Sequence, residues 1–409
     1  FAAVKKLDPR ITYSRTGPAS YTDEFGKVVL VGDNAPRFDH DVDTRESKGL
    51  LIEESRTNVF DHSIPRTSYT SNAWSVSQGS IVENTTETTA PDGTYTATKF
   101  IDNSTNAQHL LYQAPSSGIS ATNYIWSLYV KEPASNSQRY ISLTMHGMGY
   151  VAYDIQDGVI AQSYGSGIQG SGIYPVGNGW YRCWVEYLKA NTNAAVYIIL
   201  HNGANGGHTY TGNGTDSLYV WGAQLEQVDT VISSYIPTSY GPATRGGETV
   251  TMEGEEFTDF YNQTEGTLVL AASYLEDNRT GGIVTIDDTS NTSEYTEVGY
   301  RAGGAGSGNV ASYIRTDAGN DQYFKSFTST ATLGNEFKVA LAYKDNDYAS
   351  SVNGQTVHTD TSGTTSKVYD RLRFNHVDSV SPSIASSYIR RFMYYRKRLS
   401  NNQVVTLTS

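Results

Sequence analysis

Apolar and polar residues alternate with a period of two in three segments from the middle of the chain, YISLTMH, WYRCWVEY and AAVYIILHN. Side chains on an extended strand point alternately to opposite faces, so each segment is predicted to be a strand with one apolar face. The apolar-face positions are Ile141, Leu143, Met145, Tyr181, Cys183, Val185, Tyr187, Val196, Ile198 and Leu200. Strands with two different faces are typical of antiparallel sandwiches, in which the apolar faces of two sheets pack together.

The same alternation continues in the last part of the chain, in GTLVLAASYLED and EFKVALAYKDN. Asn353 and Gly354 lie between two short extended runs and favour the positive φ angles of a type I′ hairpin turn. Ser400 begins the capping-box pattern SNNQ, which predicts a short C-terminal helix docked through Val404 and Leu407. A helical period is otherwise scarce, so the sequence predicts an all-β protein.

Two clusters of turn residues divide the chain into three predicted units. The stretch YIPTSYGPATRGGE contains two prolines and three glycines, which interrupt regular strand pairing. Polar loop residues in FDHSIPRTSYTSNAW mark an earlier boundary. We therefore expect a small N-terminal β-meander over 1–61, followed by two β-sandwiches over 62–241 and 242–409.

The N-terminal segment carries the most specific motifs of the chain, SRTGPASYTDEFG, NAPRFDHD and GLLIEESRTN. Together they closely resemble a segment that recurs in tailed-bacteriophage virion proteins, where it precedes β-sandwich modules of carbohydrate-binding type. The resemblance implies a protein of the virion surface, in a tail or capsid fibre or a spike, that is made in the host cytoplasm and contacts other virion proteins. It also implies a homotrimer, the state expected of phage fibres.

Both predicted sandwiches resemble known modules. NAWSVS, APDGTYTATKF, NGWYRCWVEY and LYVWGAQLEQ resemble segments of the jelly-roll carbohydrate-binding modules of xylanases and phage fibres. EFKVALAYKDNDYASSVNGQTV and YIRRFMYYRKRLSNNQVVTLT are similar to the ending of concanavalin A-like and laminin G-like sandwiches. These resemblances imply a jelly roll over 62–241 and a concanavalin A-like sandwich over 242–409.

Composition excludes several classes of partner. The formal net charge is -12 and the pI is about 5.1, whereas nucleic acids and anionic membranes attract clustered Lys and Arg. No apolar run approaches the roughly 20 residues that a membrane-spanning helix requires, so we expect no membrane insertion. Cys183 is the single cysteine, which excludes an intramolecular disulfide and fits assembly in a bacterial cytoplasm. Neutral glycans remain compatible with this composition.

Catalysis has little support in the sequence. Adjacent carboxylates such as Glu53-Glu54 and Glu255-Glu256 point to opposite faces of an extended chain, so neither pair can serve as acid and base across one bond. We interpret them as solvated surface charge. The chain has no E-x-D-x-E strand of the kind found in glycosidases with a concanavalin A-like fold, and no G-x-S-x-G motif. We therefore expect a protein that is not an enzyme and needs no cofactor.

One acidic segment is a candidate Ca²⁺ site. Asp39, Asp41, Asp43 and Glu46 are spaced so that their oxygens could surround a hard cation. No glycine marks a sharp turn in this loop, and Arg45 would compete for the negative charge. The alternative interpretation is an acidic hairpin loop that binds no metal.

Glycan binding is the chemistry that the sequence supports best. Sugars present an apolar face and a rim of hydroxyls, so their sites combine aromatic rings with polar side chains. The polar faces of the three alternating segments supply this mixture, provided that the strands are neighbours in one sheet. The candidate residues are Tyr140, His146, Arg182, Trp184, Glu186, Tyr197 and His201. The same face could instead pack against a neighbouring subunit.

The sequence thus predicts a phage surface protein that binds host-surface glycans for adhesion. One alternative is a purely structural protein whose sandwiches act as spacers and subunit contacts during assembly. Another alternative is a polysaccharide depolymerase.

Overall fold

The structure is a computed structural model. It describes residues 5–120, 122–134, 138–188, 195–203, 207–227, 231–275, 282–302, 308–317, 320–328, 330–365, 368–376 and 386–409. Within these ranges the chain is almost entirely β, with two short helices, which confirms the predicted fold class. Neither helix is long and apolar enough to cross a membrane.

The described elements follow one another along the chain in this order. The first twenty strands are β1 (Thr12–Ser14), β2 (Ala19–Thr22), β3 (Val28–Val31), β4 (Arg37–His40), β5 (Ser47–Ile52), β6 (Arg56–Asn58), β7 (Ser75–Ser77), β8 (Gly79–Val82), β9 (Thr98–Asp102), β10 (Asn106–Gln108), β11 (Leu110–Gln113), β12 (Tyr124–Lys131), β13 (Tyr140–Met145), β14 (Gly149–Asp154), β15 (Val159–Tyr164), β16 (Ile168–Pro175), β17 (Trp180–Tyr187), β18 (Val196–His201), β19 (Thr209–Thr211) and β20 (Ser217–Gln227).

The remaining elements belong mainly to the last part of the chain. They are β21 (Ala243–Arg245), β22 (Thr249–Glu253), α1 (Gly254–Phe260), β23 (Glu265–Tyr274), β24 (Gly282–Asp288), β25 (Asn291–Ala302), β26 (Asn309–Asp317), β27 (Asn320–Phe327), β28 (Phe337–Lys344), β29 (Tyr348–Val352), β30 (His358–Asp360), β31 (Arg371–His376), β32 (Ser387–Tyr395) and α2 (Asn401–Thr408).

The middle of the chain forms a two-sheet sandwich. One sheet has six strands in the order β15-β14-β13-β18-β11-β7, and the other has eight, with the path β16-β17-β12-β20-β6-β21 and with β8 and β9 joined through β20. The strands of both sheets pair antiparallel throughout the described residues. A continuous core lies between the sheets and contains all ten predicted apolar-face positions, nine of them buried and Tyr181 partly buried.

The second sandwich has two seven-stranded sheets. Their strand orders are β1-β22-β31-β24-β25-β26-β27 and β30-β29-β28-β23-β32-β5-β4. The alternating apolar positions of GTLVLAASY and EFKVALAY are buried in its core, as their period predicts. Asn353 and Gly354 have φ angles of 48° and 70° in the turn between β29 and β30, which confirms the expected turn. Helix α2 has the expected capping box, and its Val404 is buried.

The strands of the N-terminal segment are divided between the two sandwiches. β1 pairs with β22 and β5 pairs with β32, both in the second sandwich, whereas β6 pairs with β20 and β21 in the middle one. Only β2 and β3 pair with each other alone. The boundary expected at residue 61 therefore does not coincide with the edge of a sheet.

A buried ion cluster joins the segments that the sequence motifs identify. It consists of Arg15, Arg37, Glu53, Arg245 and Glu248, each at most 4% exposed. Arg37 Nη1 lies 2.6 Å from Glu53 Oε2 and also pairs with Glu248, while Arg245 Nη1 lies 3.1 Å from Glu53 Oε2. Arg15 Nε lies 3.4 Å from Glu248 Oε1. The cluster therefore fixes the Pro- and Gly-rich stretch around residue 241 against the N-terminal strands.

The ion cluster corrects one interpretation of the sequence. Glu53 is not solvated surface charge, because its carboxylate is buried and also accepts hydrogen bonds from the backbone N–H and hydroxyl of Ser234 at 2.9 and 2.7 Å. Burial alone would raise the pKa of Glu53, but the charges of Arg245 and Arg37 outweigh it and hold that pKa well below its ordinary value. Glu255 and Glu256, by contrast, are exposed as expected.

Candidate functional site

A row of tyrosines crosses the outer face of the six-stranded sheet. The strand register aligns Tyr164 with Tyr150, Tyr150 with Thr144, Thr144 with Tyr197, and Tyr197 with Tyr112. Their chain neighbours Leu111, Leu143, Val151 and Ile198 lie in the core, so strand alternation places the row on the opposite face. We call the face that carries this row the tyrosine face.

The rings of the tyrosine face form two pairs on either side of Thr144. Tyr150 and Tyr164 have ring centroids 5.5 Å apart with near-parallel planes, and Tyr112 and Tyr197 have centroids 5.7 Å apart. Tyr164 is 65% exposed and the other three rings are partly exposed. Four adjacent strand spacings of about 4.8 Å separate the first ring from the last, so the row extends over roughly 19 Å.

Two histidines lie beside this row. His208 packs edge-on against Tyr150 with ring centroids 4.2 Å apart, and His201 lies 5.1 Å from His208. His201 Nδ1 lies 2.8 Å from the carbonyl oxygen of Gly203, so Nδ1 carries the proton and Nε2 is an acceptor in the neutral ring. Burial lowers the pKa of both histidines, that of His208 to about 4 with a further contribution from His201. Both rings are therefore neutral near pH 7.

Four buried polar atoms on the tyrosine face have no hydrogen-bond partner in the described part of the chain. They are Ser142 Oγ, Thr144 Oγ1, His201 Nε2 and His208 Nε2. Buried polar groups in native proteins are nearly always hydrogen-bonded, and an unsatisfied one costs about 1–3 kcal/mol. All four lie on the same face as the exposed aromatic rings.

The structure brings together four of the seven predicted glycan-site residues. Tyr140 is aligned with His201 on the tyrosine face, and the exposed His146 has its ring centroid 6.3 Å from that of Tyr197. Tyr140 is partly buried, with the Arg139 guanidinium 5.2 Å above its ring. The predicted mixture of aromatic and polar side chains therefore exists on this sheet.

The other three predicted residues, Arg182, Trp184 and Glu186, lie on the opposite sheet, so the expected single site is corrected. They belong to β17, which pairs with β12 and β16 in the eight-stranded sheet. The Tyr153 hydroxyl reaches across the core from the six-stranded sheet and donates to the Trp184 carbonyl oxygen at 2.6 Å. The polar faces of β17 and of β13 and β18 therefore point in opposite directions.

Arg182 is buried in a structural position. It is 4% exposed, donates to the Ser233 carbonyl oxygen at 2.8 Å and to Ser127 Oγ at 3.1 Å, and lies 5.2 Å above the Tyr129 ring. Tyr129 belongs to a separate apolar cluster on the outer side of the eight-stranded sheet that also includes Trp221. Arg182 thus anchors the chain after β20 to this sheet.

Trp184 is partly exposed and lies across the edge strand β16. Its register partner is Gly172, where an added Cβ would be 2.4 Å from Trp184 Nε1. At Gly170 an added Cβ would lie 3.3 Å from the indole and 3.2 Å from Glu186 Oε2. The two glycines therefore allow the indole to lie flat on the sheet.

The candidate Ca²⁺ site is also corrected. Asp39 is buried and its carboxylate accepts hydrogen bonds from the Thr22 backbone N–H and the Tyr388 hydroxyl. Asp41 accepts from the backbone N–H groups of Asp43 and Thr44, each at 3.0 Å.

Glu46, the fourth residue of the candidate Ca²⁺ site, pairs with a residue of the second sandwich. The Glu46 carboxylate lies 3.9 Å from the Arg390 guanidinium. Among the described residues, no group of three or more His, Cys, Asp or Glu side chains is placed to hold a metal ion. The acidic segment is therefore a hairpin loop stabilised by its own hydrogen bonds.

Sequence reasoning missed Tyr112, Tyr150, Tyr164 and His208. The first three occupy outward positions of short strands, and the segment GYVAYD shows the same alternation that identified β13. His208 follows β18 in a polar segment whose sequence carries no signal for contact with Tyr150. The alternation could have found the tyrosines, whereas the histidine required the tertiary structure.

No protein-family model matches this chain, and no curated protein matches it either. Among solved structures, it is similar to the Ruminococcus gnavus IT-sialidase CBM40, with a TM-score of 0.32 and 17% identity over 37% of this chain and 86% of that one. It is also similar to the leech intramolecular trans-sialidase, with a TM-score of 0.32 and 16% identity over 38% of this chain and 24% of that one. Botulinum neurotoxin type C gives a TM-score of 0.31 and 9% identity, with 40% of each chain covered. Likeness at this level carries no argument about function.

Proposed function

We propose that this protein binds glycans on the tyrosine face of its middle sandwich. The observation that carries the proposal is the row of four tyrosines flanked by unpartnered Ser142, Thr144, His201 and His208 atoms. Tyrosine rings offer an apolar surface to the C–H face of a sugar, while the polar atoms match its hydroxyls. A row that crosses five strands suits an extended saccharide better than a single sugar unit.

We further propose that this binding serves adhesion to a host surface, on the virion of a tailed bacteriophage. The support is the resemblance of SRTGPASYTDEFG, NAPRFDHD and GLLIEESRTN to phage virion proteins. In the structure these motifs contribute Arg15, Arg37 and Glu53 to the buried ion cluster. They would hold the binding sandwich rigidly on its neighbour, as an adhesin under load requires. The proposed protein is trimeric and not an enzyme.

A glycan array with the full chain tests the proposal. The wild-type protein should bind at least one class of host-envelope saccharide, and the double variant Tyr150→Ala, Tyr197→Ala should bind it about 10- to 100-fold more weakly, which corresponds to roughly 1–3 kcal/mol. Tyr95→Ala is the matched control, because Tyr95 is 56% exposed in a loop outside the tyrosine face. Circular dichroism should show that both variants remain folded.

Other outcomes separate the alternatives. Suppose that neither the wild type nor the double variant binds any glycan on the array, but the double variant dissociates the oligomer in light scattering. The tyrosine face is then a subunit interface. Release of reducing sugar from host polysaccharide would instead identify a depolymerase. A monomer in light scattering would count against the trimer.

A further inference from the structure

A cavity of about 450 Å³ lies where three parts of the molecule meet. The outer side of the eight-stranded sheet contributes Tyr129, Tyr174 and Arg182, and the N-terminal strand β4 contributes Asp39 and His40. The second sandwich closes it with Tyr388. This volume falls within the range of roughly 300–1,000 Å³ that is typical of small-molecule sites. The cavity is on the opposite side of the middle sandwich from the tyrosine face.

His40 supplies an unsatisfied polar atom to the cavity lining. The side chain is buried, at 3% exposure, and its Nδ1 lies 3.1 Å from the Thr22 carbonyl oxygen. Since a carbonyl oxygen only accepts, Nδ1 is the donor, and Nε2 of the neutral ring is an acceptor. This Nε2 has no hydrogen-bond partner in the described part of the chain. A hydroxyl group would satisfy it.

Protein cations already occupy two of the aromatic rings that line the cavity. The Arg182 guanidinium lies 5.2 Å from the centroid of Tyr129, and Lys48 Nζ lies 5.6 Å from that of Tyr388. A cationic ligand would therefore compete with two side chains that the protein holds in place. The aromatic lining does not form an empty cage for an ammonium group.

An anionic ligand is disfavoured for a different reason. Asp39, Asp41 and Asp43 all line the same cavity, and the Asp41 carboxylate lies 3.5 Å from Lys48 Nζ. These three acidic side chains outnumber the two lining cations, Lys48 and Arg182, which already contact aromatic rings, so a phosphate or carboxylate is disfavoured. Positively and negatively charged ligands are therefore both disfavoured, which leaves neutral ligands that form hydrogen bonds.

An aromatic platform adjoins the cavity. Tyr174 lines the cavity and is 36% exposed. In the pairing of β16 with β17 it lies opposite Arg182, two residues along the strand from Gly172, which lies opposite Trp184. Trp184 lies flat across the glycines of β16 with its other side partly exposed. A sugar ring seated at the cavity mouth could therefore stack on an aromatic surface while its hydroxyls enter the polar interior.

We propose that this cavity, together with Tyr174 and Trp184 at its edge, is a second binding site that takes a neutral mono- or disaccharide. The site is separate from the tyrosine face and does not require that face to bind glycans. Two sites on opposite sides of one sandwich would allow the protein to engage a surface polysaccharide at two points and gain avidity.

Tryptophan fluorescence gives a specific test. Of the five tryptophans, Trp74, Trp126, Trp180 and Trp221 are at most 1% exposed, so acrylamide should quench mainly Trp184. We expect glucose, galactose, mannose or N-acetylglucosamine to protect the full chain from quenching. Glucuronic acid and glucosamine, the charged counterparts, should protect far less.

Variants connect the signal to the site. Trp184→Phe should remove the quenchable component, and Tyr174→Ala should raise the protecting sugar concentration about tenfold. Tyr174→Leu, which keeps apolar bulk on the edge strand, should do the same if the alanine variant is unstable. Tyr197→Ala should leave the protection unchanged because the tyrosine face contains no tryptophan.

The proposal is overturned if no neutral sugar protects Trp184 up to its solubility limit. Equal protection by the charged sugars would overturn the assignment of ligand class. Unchanged protection in folded Tyr174 variants would remove the site from this position. None of these results depends on whether the tyrosine face binds glycans, so the two proposals fail independently.

Discussion

Arg37 Nη1 lies 2.6 Å from Glu53 Oε2, and neither side chain is more than 5% exposed. The two residues come from NAPRFDHD and GLLIEESRTN, and Arg37 also pairs with Glu248 at the end of the Pro- and Gly-rich stretch. Taking two charges out of water is costly, and only mutual attraction with further hydrogen bonds offsets that cost. The most specific sequence motifs of this chain therefore build a joint between the two sandwiches.

Removing Arg37 should destabilise the whole molecule. Arg37→Met leaves Glu53 and Glu248 buried with less compensation, and we expect a loss of about 3–5 kcal/mol in the free energy of unfolding. Urea denaturation measures this loss. Lys99→Met is the matched control, since its ion pair with Glu87 is partly solvated and should contribute about 0–1 kcal/mol. Equal effects of the two substitutions would contradict a special role for the buried pair.

The same joint should make the protein sensitive to acid. The pKa of Glu53 in the folded state lies below its ordinary value of 4.5, so the unfolded state binds more protons as the pH falls through that value. Stability from this pair is fully present above pH 4.5 and is lost progressively below it. Urea denaturation between roughly pH 6 and pH 3 should show a shallower pH dependence for Glu53→Gln than for the wild type. Identical slopes would contradict the assignment.

The alternation of apolar and polar residues was enough to predict which strand side chains face a core. Alternation identified which side chains of β13, β17 and β18 face a core, because the period of two depends only on neighbouring residues. Membership of a sheet depends on partners far along the chain, and WYRCWVEY has the same pattern whichever sheet it joins. Arg182 and Trp184 were therefore assigned to the wrong sheet. Glu53 was misjudged for a similar reason, since its partner Arg245 lies far away in sequence.

Saccharide binding at the tyrosine face should fall only in strong acid. The pKa of His208 is lowered to about 4 by burial and by the nearby His201, so the ring is neutral at higher pH. Protonation makes both ring nitrogens donors and introduces a charge beside Tyr150. Binding measured by calorimetry should be weaker near pH 4, where the His208 ring takes up a proton, than at neutral pH. His208→Phe should reduce this decline, while His201 remains. His146→Gln is the control, because it removes another histidine of this face and should keep the decline.

Gly172→Ala should displace Trp184. The added Cβ would lie 2.4 Å from Trp184 Nε1, so the partly exposed indole must move away from the strand. We expect overpacking to cost about 1–3 kcal/mol and acrylamide quenching of Trp184 to increase. Gly32→Ala is the control, since an added Cβ there meets no atom within 4 Å. Unchanged quenching in the Gly172 variant would mean that the indole does not rest on the glycines.

Replacing Ser400 should loosen the C-terminal helix. Ser400 Oγ accepts from the Gln403 backbone N–H, and the Gln403 side chain accepts from the Ser400 backbone N–H in return. Ser400→Ala removes the first of these bonds and should lower the free energy of unfolding by about 1 kcal/mol. Asn402→Ala, at an exposed position in the first turn, should have a smaller effect. Because Val404 packs the helix against β28 and β29, hydrogen exchange should be faster in those strands only in the Ser400 variant. Equal exchange in both variants would show that packing alone holds the helix in place.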